Sequence, residues 1–224
     1  MSAASLKARS GWLLSFADVV TLLITFFIMM LALNHTEISR IQNWADDQLD
    51  QSYQTLLDGV QNNNLQYINV NRNTQGIFLS ISHPEAFERG GFEVSPGLAA
   101  ELSQVSGLLS GIALFNAHKT ELGRRIIDEA DRDGMAWRVE VVVEGHTDND
   151  PIPSGSILRN NWFLSTMRAQ NVMQLLHRNS DLRNDYFSVA GFGEHRPVAS
   201  NETLEGKGQN RRVNVVINAG FTRK

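Results

Sequence analysis

A single carboxylate lies inside the most apolar stretch of the chain. Asp18 falls within residues 12–33, which as a helix would span about 33 Å, close to the thickness of a bilayer core. An aspartate in a membrane helix costs about 2.5–3.5 kcal/mol on insertion scales. Something must offset that cost, so Asp18 is predicted either to orient and pack the helix near the interface or to carry an ion.

Small and hydroxylated residues recur around Asp18 at helical spacing. On an ideal helix four of them lie within about 60° of the Asp18 direction, namely Gly11, Ser15, Thr21 and Thr25. Such a stripe faces protein or water rather than lipid. Proton binding would switch the carboxylate between charged and neutral forms, and one charge crossing 100 mV releases about 2.3 kcal/mol. We therefore predict an ion-carrying carboxylate whose pathway is supported by the three hydroxyl groups of the stripe.

A second group of candidate site residues follows the clearest predicted strand, at 138–144. The run Glu-Gly-His-Thr-Asp-Asn-Asp-Pro at 144–151 leaves this strand in a turn suited to exposing the Asp148 carboxylate. Asn161 and Arg168 are two helical turns apart, so their side chains project from one helix face. Asp148 and Arg168 could form a plain salt bridge, or together bind the ammonium and carboxylate of a zwitterion. Spacing alone favours the salt bridge.

The remaining elements place these residues in an α/β framework. Periodicity predicts strands at 76–82, 138–144, 186–190 and 212–218, with helices within 98–131 and at 160–178. Strands that alternate with helices indicate a layered α/β (α+β) sandwich. A polar Gln-Asn-Asn-Asn run marks a linker. The folded domain is therefore expected to occupy 76–224.

Apolar residues recur every three or four positions between residues 36 and 60, with acidic residues on the opposite face. These apolar positions are Ile38, Ile41, Ala45, Leu49, Tyr53, Leu56 and Val60. The helix could continue the membrane span and pair with a copy of itself, or it could be a solvated helix without a partner. Residues 34–75 are thus predicted to form a periplasmic linker helix and linker.

Flanking charges indicate how the apolar segment is oriented. Lys7 and Arg9 precede it, whereas acidic residues from Glu37 onward follow it. The basic side normally stays cytoplasmic, so residues 1–11 should be cytoplasmic and the chain after the single transmembrane helix exported. A cleaved signal peptide is the alternative, which the length of the apolar run, its aspartate and the missing cleavage site disfavour.

Composition disfavours several classes of function. A net charge of -4 and a pI near 5.9 provide no electrostatic footprint for nucleic acid. Without cysteine, the chain has no disulfide scaffold, thiolate metal site or lipid-modified N-terminal cysteine. The six histidines lack ligand spacing, and the acidic residues at 148–150 lack the later ligands of a calcium loop. We expect no metal site, no cofactor and no enzymatic activity.

Residues 12–27 read Trp-Leu-Leu-Ser-Phe-Ala-Asp-Val-Val-Thr-Leu-Leu-Ile-Thr-Phe-Phe. This run resembles the membrane signature of MotB-type stator subunits of ion-driven rotary motors. In that family the aspartate of the Trp-x-x-x-aromatic-Ala-Asp pattern binds the ion, which implies this role for Asp18. The resemblance also implies a bacterial inner-membrane homodimer inside a pentameric, multi-spanning MotA-like partner. The proton is the expected ion, and Thr21 and Thr25 leave sodium as an alternative.

Residues 145–216 resemble an OmpA-like peptidoglycan-binding domain. The motifs Gly-His-Thr-Asp, Asn-x-x-Leu-Ser-x-x-Arg-Ala and Asn-Arg-Arg-Val occur in the expected order. The resemblance implies that Asp148 and Arg168 hold the diaminopimelate of the peptide stem and that Asn161 assists. It thereby reverses the preference for a plain salt bridge.

The resemblance implies less specific roles for four further residues of these motifs. Thr147, Asn210 and Arg211 are candidates either for contacts with the same ligand or for shaping its pocket. Arg212 is expected to support the fold. The segment before residue 138 is unusually long for the family, and the Gly-Gly-Phe-Glu-Val-Ser run at 90–95 matches the family pattern only loosely.

A cell-wall anchor and a membrane carboxylate on one chain together predict a subunit of a rotary motor. Two copies would form a fixed axle whose Asp18 residues alternately load ions while the surrounding ring turns. Only 42 residues, 34–75, separate membrane helix from predicted domain. This compactness resembles the B subunit of Zorya anti-phage defence systems more than the flagellar stator MotB, which remains the alternative. A passive membrane-to-cell-wall tether is the alternative from another functional class.

Overall fold

The computed structural model describes residues 3–88, 90–153 and 155–224, and within these ranges the side chains of 12–31 and of residues from 40 onward. The chain divides into two compact units, Met1–Trp44 and Ala45–Lys224. Lys7, Arg9, Glu37 and Ile38 lie outside the described side chains. The predicted orientation in the membrane therefore stays a prediction.

The first unit consists of a helix. Helix α1 spans Ala3–Asn62 and supplies the described residues of this unit. Its stretch Trp12–Leu31 is long and apolar enough to cross a membrane, and none of its side chains is buried. A helix suits such a segment because every backbone hydrogen bond is made internally. The predicted membrane helix thus has the required length and composition.

The second unit is built on a five-stranded sheet with the order β1-β2-β5-β3-β4. The strands are β1 Ile68–Asn73, β2 Gly76–Ile81, β3 Met135–Gly145, β4 Phe187–Gly191 and β5 Val213–Arg223. All neighbours pair antiparallel except β3 and β4, which are parallel. Val139, Val141 and Val143 are buried, whereas Glu140 is exposed and Val142 is half-buried, the alternation expected of a strand with one face in the core. All four predicted strands are confirmed, and β1 is additional.

Helices accompany this sheet. They are α2 Pro96–Gly111, α3 Ala113–Asn116, α4 Glu121–Arg132, α5 Asn161–Asn179 and α6 Leu204–Asn210. Of these, α4 and α5 contact the strands of the sheet directly. Helix α5 connects the parallel strands β3 and β4 and contacts both of them as well as α2. The predicted break in the segment 98–131 falls at Ile112, whose extended backbone separates α2 from α3. The layered α/β architecture is confirmed.

The predicted start of the domain at residue 76 is wrong, because β1 precedes it. Strand β1 pairs with β2 along its whole length. The nearly buried carboxylate of Glu101 accepts hydrogen bonds from the backbone N–H groups of Gln66 (2.6 Å) and Tyr67 (3.0 Å), just before β1. The sequence Ile-Asn-Val-Asn-Arg-Asn carries too few apolar residues to identify a strand alone. Pairing with β2 stabilises it.

The end of α1 also belongs to the domain. Leu49 and Leu56 are buried in the core of the second unit. The hydroxyl of the buried Ser52 accepts a hydrogen bond from Leu114 N–H at 3.2 Å. This part of α1 is therefore not a solvated linker, because its apolar side chains pack against the domain of the same chain. Helix α1 ends inside the predicted asparagine-rich break, where Asn64 has a φ of 50°.

Leu56→Ala should test this docking of α1. Leu56 is fully buried, so its truncation is expected to lower the free energy of unfolding by about 2–5 kcal/mol. Urea unfolding of the full chain in detergent, followed by tryptophan fluorescence, measures the change. The exposed neighbour Gln54 supplies the matched control, and Gln54→Ala should change stability by less than about 0.5 kcal/mol. Equal effects of the two substitutions would contradict the docking.

Candidate functional site

The loop that follows β3 is fixed by backbone hydrogen bonds to both neighbouring strands. His146 N–H donates to the carbonyl of Arg212 at 2.9 Å, next to the start of β5. Thr147 N–H donates to the carbonyl of Gly193 at 2.9 Å, in the turn after β4. Thr147 is buried, and its hydroxyl has no hydrogen-bond partner among the described residues. Thr147 therefore lies inside the site rather than on its surface.

Glycine is required at the point where β3 ends. A Cβ atom on Gly145 would collide with the backbone carbonyl of Ser165 on helix α5. The absence of a side chain lets the strand and the helix approach closely. This contact brings the loop that carries Asp148 next to α5, which carries Asn161 and Arg168. The contact between Gly145 and Ser165 thus brings the first two motifs together.

Asp148 is a buried carboxylate with a guanidinium partner. It is 6% exposed, and its Oδ2 accepts a hydrogen bond from Arg211 Nη1 at 2.5 Å. Its Oδ1 accepts from the backbone N–H of Asp150 at 3.2 Å, which stabilises the turn. The salt-bridge partner of Asp148 is thus Arg211, at the end of α6, and not Arg168 as spacing had suggested. Arg211, a weaker candidate from sequence, is a central residue of the site.

Arg168 is the second cationic side chain of the site, after Arg211. Its Nε donates to the carbonyl of Gly91 at 2.9 Å, and its guanidinium lies 5.0 Å from the centre of the Phe87 ring. Burial and, to a smaller extent, the positive charge of Arg211 lower the pKa of Arg168 to about 10, and the nearby Asp148 carboxylate opposes both effects. At neutral pH the guanidinium remains charged. An anion bound beside Arg168 would stabilise its charged form.

A small cavity lies between the two arginines. Its volume is about 160 Å³, and it is lined by Ser82, His83, Pro84, Phe87, Glu88, Gly90, Arg168, Gly208 and Arg211. Most of the lining comes from the segment after β2, which sequence analysis did not assign to the site. The charged side chains of the lining are Arg168, Arg211 and Glu88, and Arg211 is also bonded to the Asp148 carboxylate. These four groups sum to zero net charge, so the site complements a zwitterion.

The Asn161 side chain forms hydrogen bonds with two loops of the site. Its amide nitrogen donates to Glu194 Oε2 at 2.9 Å, to the carbonyl of Asp150 at 3.1 Å and to that of Asp148 at 3.4 Å. Lys207 on α6 pairs with the Asp150 carboxylate at 2.6 Å. In this arrangement Asn161 joins the loop after β3 to the turn after β4. Its geometry supports positioning of Asp148.

Asn210 and Arg212 serve the framework of the site. Asn210 is fully buried, and its amide bonds the N–H groups of Val198 (2.8 Å) and Ala199 (3.0 Å) and the carbonyl of Ala199 (2.9 Å). Of its two predicted roles, this geometry supports shaping the pocket. Arg212 is nearly buried and donates to the carbonyl of Arg196 at 3.2 Å, which confirms its predicted support of the fold. Burial lowers the pKa of Arg212, and the Glu144 carboxylate opposes this shift.

The membrane carboxylate belongs to the first unit. Asp18 lies on α1 with Ser15, Thr21 and Thr25 at helical offsets of -3, +3 and +7. The hydroxyl of Thr21 donates to the carbonyls of Ala17 (2.6 Å) and Asp18 (2.9 Å), and that of Thr25 donates to Thr21 (2.8 Å). These hydroxyl protons are directed to the helix backbone. The oxygen lone pairs of the two hydroxyl groups remain available as acceptors.

Comparison with known proteins assigns both segments. Residues 86–211, more than half of the chain, match the model of the OmpA family. The chain belongs to the OmpA family. Residues 3–47 match a second family, described as membrane MotB of the proton-channel complex MotA/MotB. The protein is thus MotB-like, with an OmpA domain, and both resemblances noted in the sequence are confirmed.

Individual relatives of this OmpA-family chain match it over short segments. Motility protein B of Bacillus subtilis (strain 168) is 52% identical over 77 residues, 34% of this chain and 29% of the relative. The peptidoglycan-binding protein ArfA of Mycobacterium tuberculosis (strain ATCC 25618 / H37Rv) is 36% identical over 78 residues, 35% of this chain and 22% of the relative. The matched segments thus cover less than a third of either relative.

A solved structure supports the fold of the OmpA-family domain. The crystal structure of a protein described as MotB-like, from Desulfovibrio vulgaris, superimposes with a TM-score of 0.59 at 19% identity. The superposition covers 79% of this chain and 94% of that chain. At this identity the likeness concerns the fold.

Proposed function

We propose that the OmpA-family domain anchors the protein to the cell wall by binding the peptide stem of peptidoglycan. The observation that carries this proposal is a small cavity lined by the guanidinium groups of Arg168 and Arg211, of which Arg211 is bonded to the buried Asp148 carboxylate. Diaminopimelate has an ammonium and a carboxylate at its free end. The ammonium would replace part of the Arg211 contact with Asp148, and the carboxylate would lie between Arg168 and Arg211.

We further propose that the chain is the stator, or axle, subunit of an inner-membrane rotary motor driven by protons. Asp18 would carry the proton, and sodium is the alternative ion. The basic N-terminus would stay in the cytoplasm and the OmpA domain would lie in the periplasm. Two copies would stand inside a pentamer of a MotA-like partner. The protein would act as an anchor and ion carrier rather than as an enzyme.

Two candidate motors share this mechanism. We propose a Zorya-type anti-phage role on the short separation between the membrane helix and the domain. That separation is even shorter than the sequence indicated, because α1 and β1 reach into the domain. The flagellar stator is supported by the 52% identity with Motility protein B over 77 residues.

Purification of the protein in mild detergent with its neighbouring gene products tests the motor assignment. We expect co-purification of a multi-spanning protein at five copies to two, together with sedimentation of the complex with purified sacculi. Deleting the gene should raise phage plaque counts if the role is defence and should stop swimming if the role is motility. A passive tether predicts binding to sacculi without a multi-spanning partner.

A further inference from the structure

A second cavity adjoins the proposed wall-binding site. This outer groove has a volume of about 420 Å³ and is lined by residues of β1, β2 and β5 and by parts of the segment 198–212. It lies on the sheet face that points away from the core, because Phe78 in its lining alternates along β2 with the buried Ile77 and Leu79. Ser82, just after β2, lines both the outer groove and the cavity of the wall-binding site. The two cavities therefore adjoin at Ser82.

The end of α6 connects the same two spaces. Gly208 and Arg211 line the cavity of the wall-binding site, whereas their sequence neighbours Gln209 and Arg212 line the outer groove. Consecutive residues of one short segment thus contribute to both cavities in turn. A ligand whose first part lies in the cavity of the wall-binding site can therefore continue past Ser82 into the outer groove.

The outer groove presents hydrogen-bond donors. Three asparagine side chains of its lining already use their amide oxygens as acceptors within the protein. The donors to these oxygens are the N–H of Arg72 (2.8 Å, to Asn71), the N–H of Gln75 (2.7 Å, to Asn73) and the hydroxyl of Ser80 (3.0 Å, to Asn214). The three amide nitrogens donate to none of the residues that the structure describes. With the Arg212 guanidinium, they suit a ligand rich in carbonyl and carboxylate oxygens.

The part of a peptide stem beyond diaminopimelate is rich in such oxygens. In a complete stem this part is D-Ala–D-Ala, which has amide carbonyl groups, two methyl groups and a terminal carboxylate. Phe78 and the exposed Val198 supply apolar surface in the outer groove for the methyl groups. The chemistry of D-Ala–D-Ala thus matches both the donors and the apolar surface of the groove.

We propose that the outer groove binds the terminal D-Ala–D-Ala of the same stem whose diaminopimelate occupies the wall-binding site. This inference rests on the proposed wall-binding function. It narrows the ligand to stems that are neither trimmed nor cross-linked, because trimming removes the D-alanines and cross-linking expels the terminal one. The amide carbonyls accept hydrogen bonds from the asparagine nitrogens, and the terminal carboxylate lies beside Arg212. Burial lowers the pKa of Arg212, so a carboxylate at this place also stabilises its charged form.

Calorimetric titration of the full chain in detergent tests this proposal with two probes. One probe is the free tripeptide L-Ala-γ-D-Glu-diaminopimelate, and the other is the pentapeptide that continues it with D-Ala–D-Ala. Both probes carry the same number of carboxylate and ammonium groups, so net charge does not distinguish them. The pentapeptide should bind wild-type protein about tenfold more tightly, the size of one hydrogen bond to a charged group.

Asn71→Asp removes one donor of the outer groove without changing the shape of the side chain. It keeps the oxygen that accepts from the N–H of Arg72 and replaces the amide nitrogen by a second acceptor. The variant should lower the ratio of pentapeptide to tripeptide affinity to about one. Tripeptide affinity should stay within about twofold of the wild type, because Asn71 does not line the cavity of the wall-binding site.

Asn69 provides the matched control, because it is exposed on the same strand and the same sheet face, two residues before Asn71, and does not line the outer groove. Asn69→Asp adds the same charge and should keep the wild-type ratio. A ratio of one in the wild type, or equal ratios in the two variants, would overturn the D-alanine site while tripeptide binding upheld the proposed function. Absence of binding by either probe would overturn both.

Discussion

Asp18→Asn is expected to abolish ion-driven work while the protein still inserts, assembles and binds the wall. Asparagine keeps the size and polarity of the side chain but cannot exchange a proton. The energy available per charge, about 2.3 kcal/mol at 100 mV, is then no longer coupled to the chain. We expect at least a 100-fold loss of motor output, measured as phage protection or swimming speed under an imposed proton gradient.

Two companion variants make the Asp18 result specific. Asp18→Glu retains the ionisable group and should keep part of the output. Thr21→Val removes a hydroxyl whose proton is already bonded to the backbone carbonyls of Ala17 and Asp18, so it should reduce output far less than Asp18→Asn. Wild-type, gradient-dependent output from Asp18→Asn would exclude Asp18 as the ion carrier and leave the passive tether as the better account.

Arg168→Ala should weaken binding of diaminopimelate-containing peptide by about 100-fold. Removing one member of a largely desolvated charged contact costs about 2–5 kcal/mol, partly because the ligand carboxylate is left without a partner. Arg211 would remain but is already engaged by Asp148. Sedimentation with purified sacculi and calorimetry with the free tripeptide both measure the loss. Arg168→Lys should recover only part of the affinity, because an ammonium lacks the planar fork of a guanidinium.

Asn171 supplies the control for the second role of Arg168, which is to hold the segment after β2. Arg168 binds the carbonyl of Gly91, and Asn171, one turn further along α5, binds the carbonyl of Phe92 at 3.0 Å. Asn171→Ala should loosen the same segment without removing a charge, and we expect no more than a fivefold loss of binding. If both variants lost equal affinity, Arg168 would be a positioning residue rather than a ligand contact.

The sequence by itself was sufficient for elements with strong local patterns. The strand at 138–144 and the helix at 160–178 have clear apolar periodicities, and the structure confirms both within a few residues. Asp18 could also be identified without a structure, because a carboxylate inside a 20-residue apolar stretch is unusual for its cost alone. The three motifs of the OmpA domain likewise located Asp148, Asn161 and Arg168 on neighbouring elements.

Only the tertiary structure decided which charges meet. Arg211 is 63 residues away from Asp148 and reaches it because α6 ends beside the loop after β3, a relation that no local spacing reports. The same holds for Gly91, a residue without a side chain, whose backbone carbonyl accepts a hydrogen bond from Arg168. Strand β1 and the buried face of α1 were misassigned for the same reason. Local periodicity states that a face is apolar, whereas the packing partner depends on contacts between distant segments.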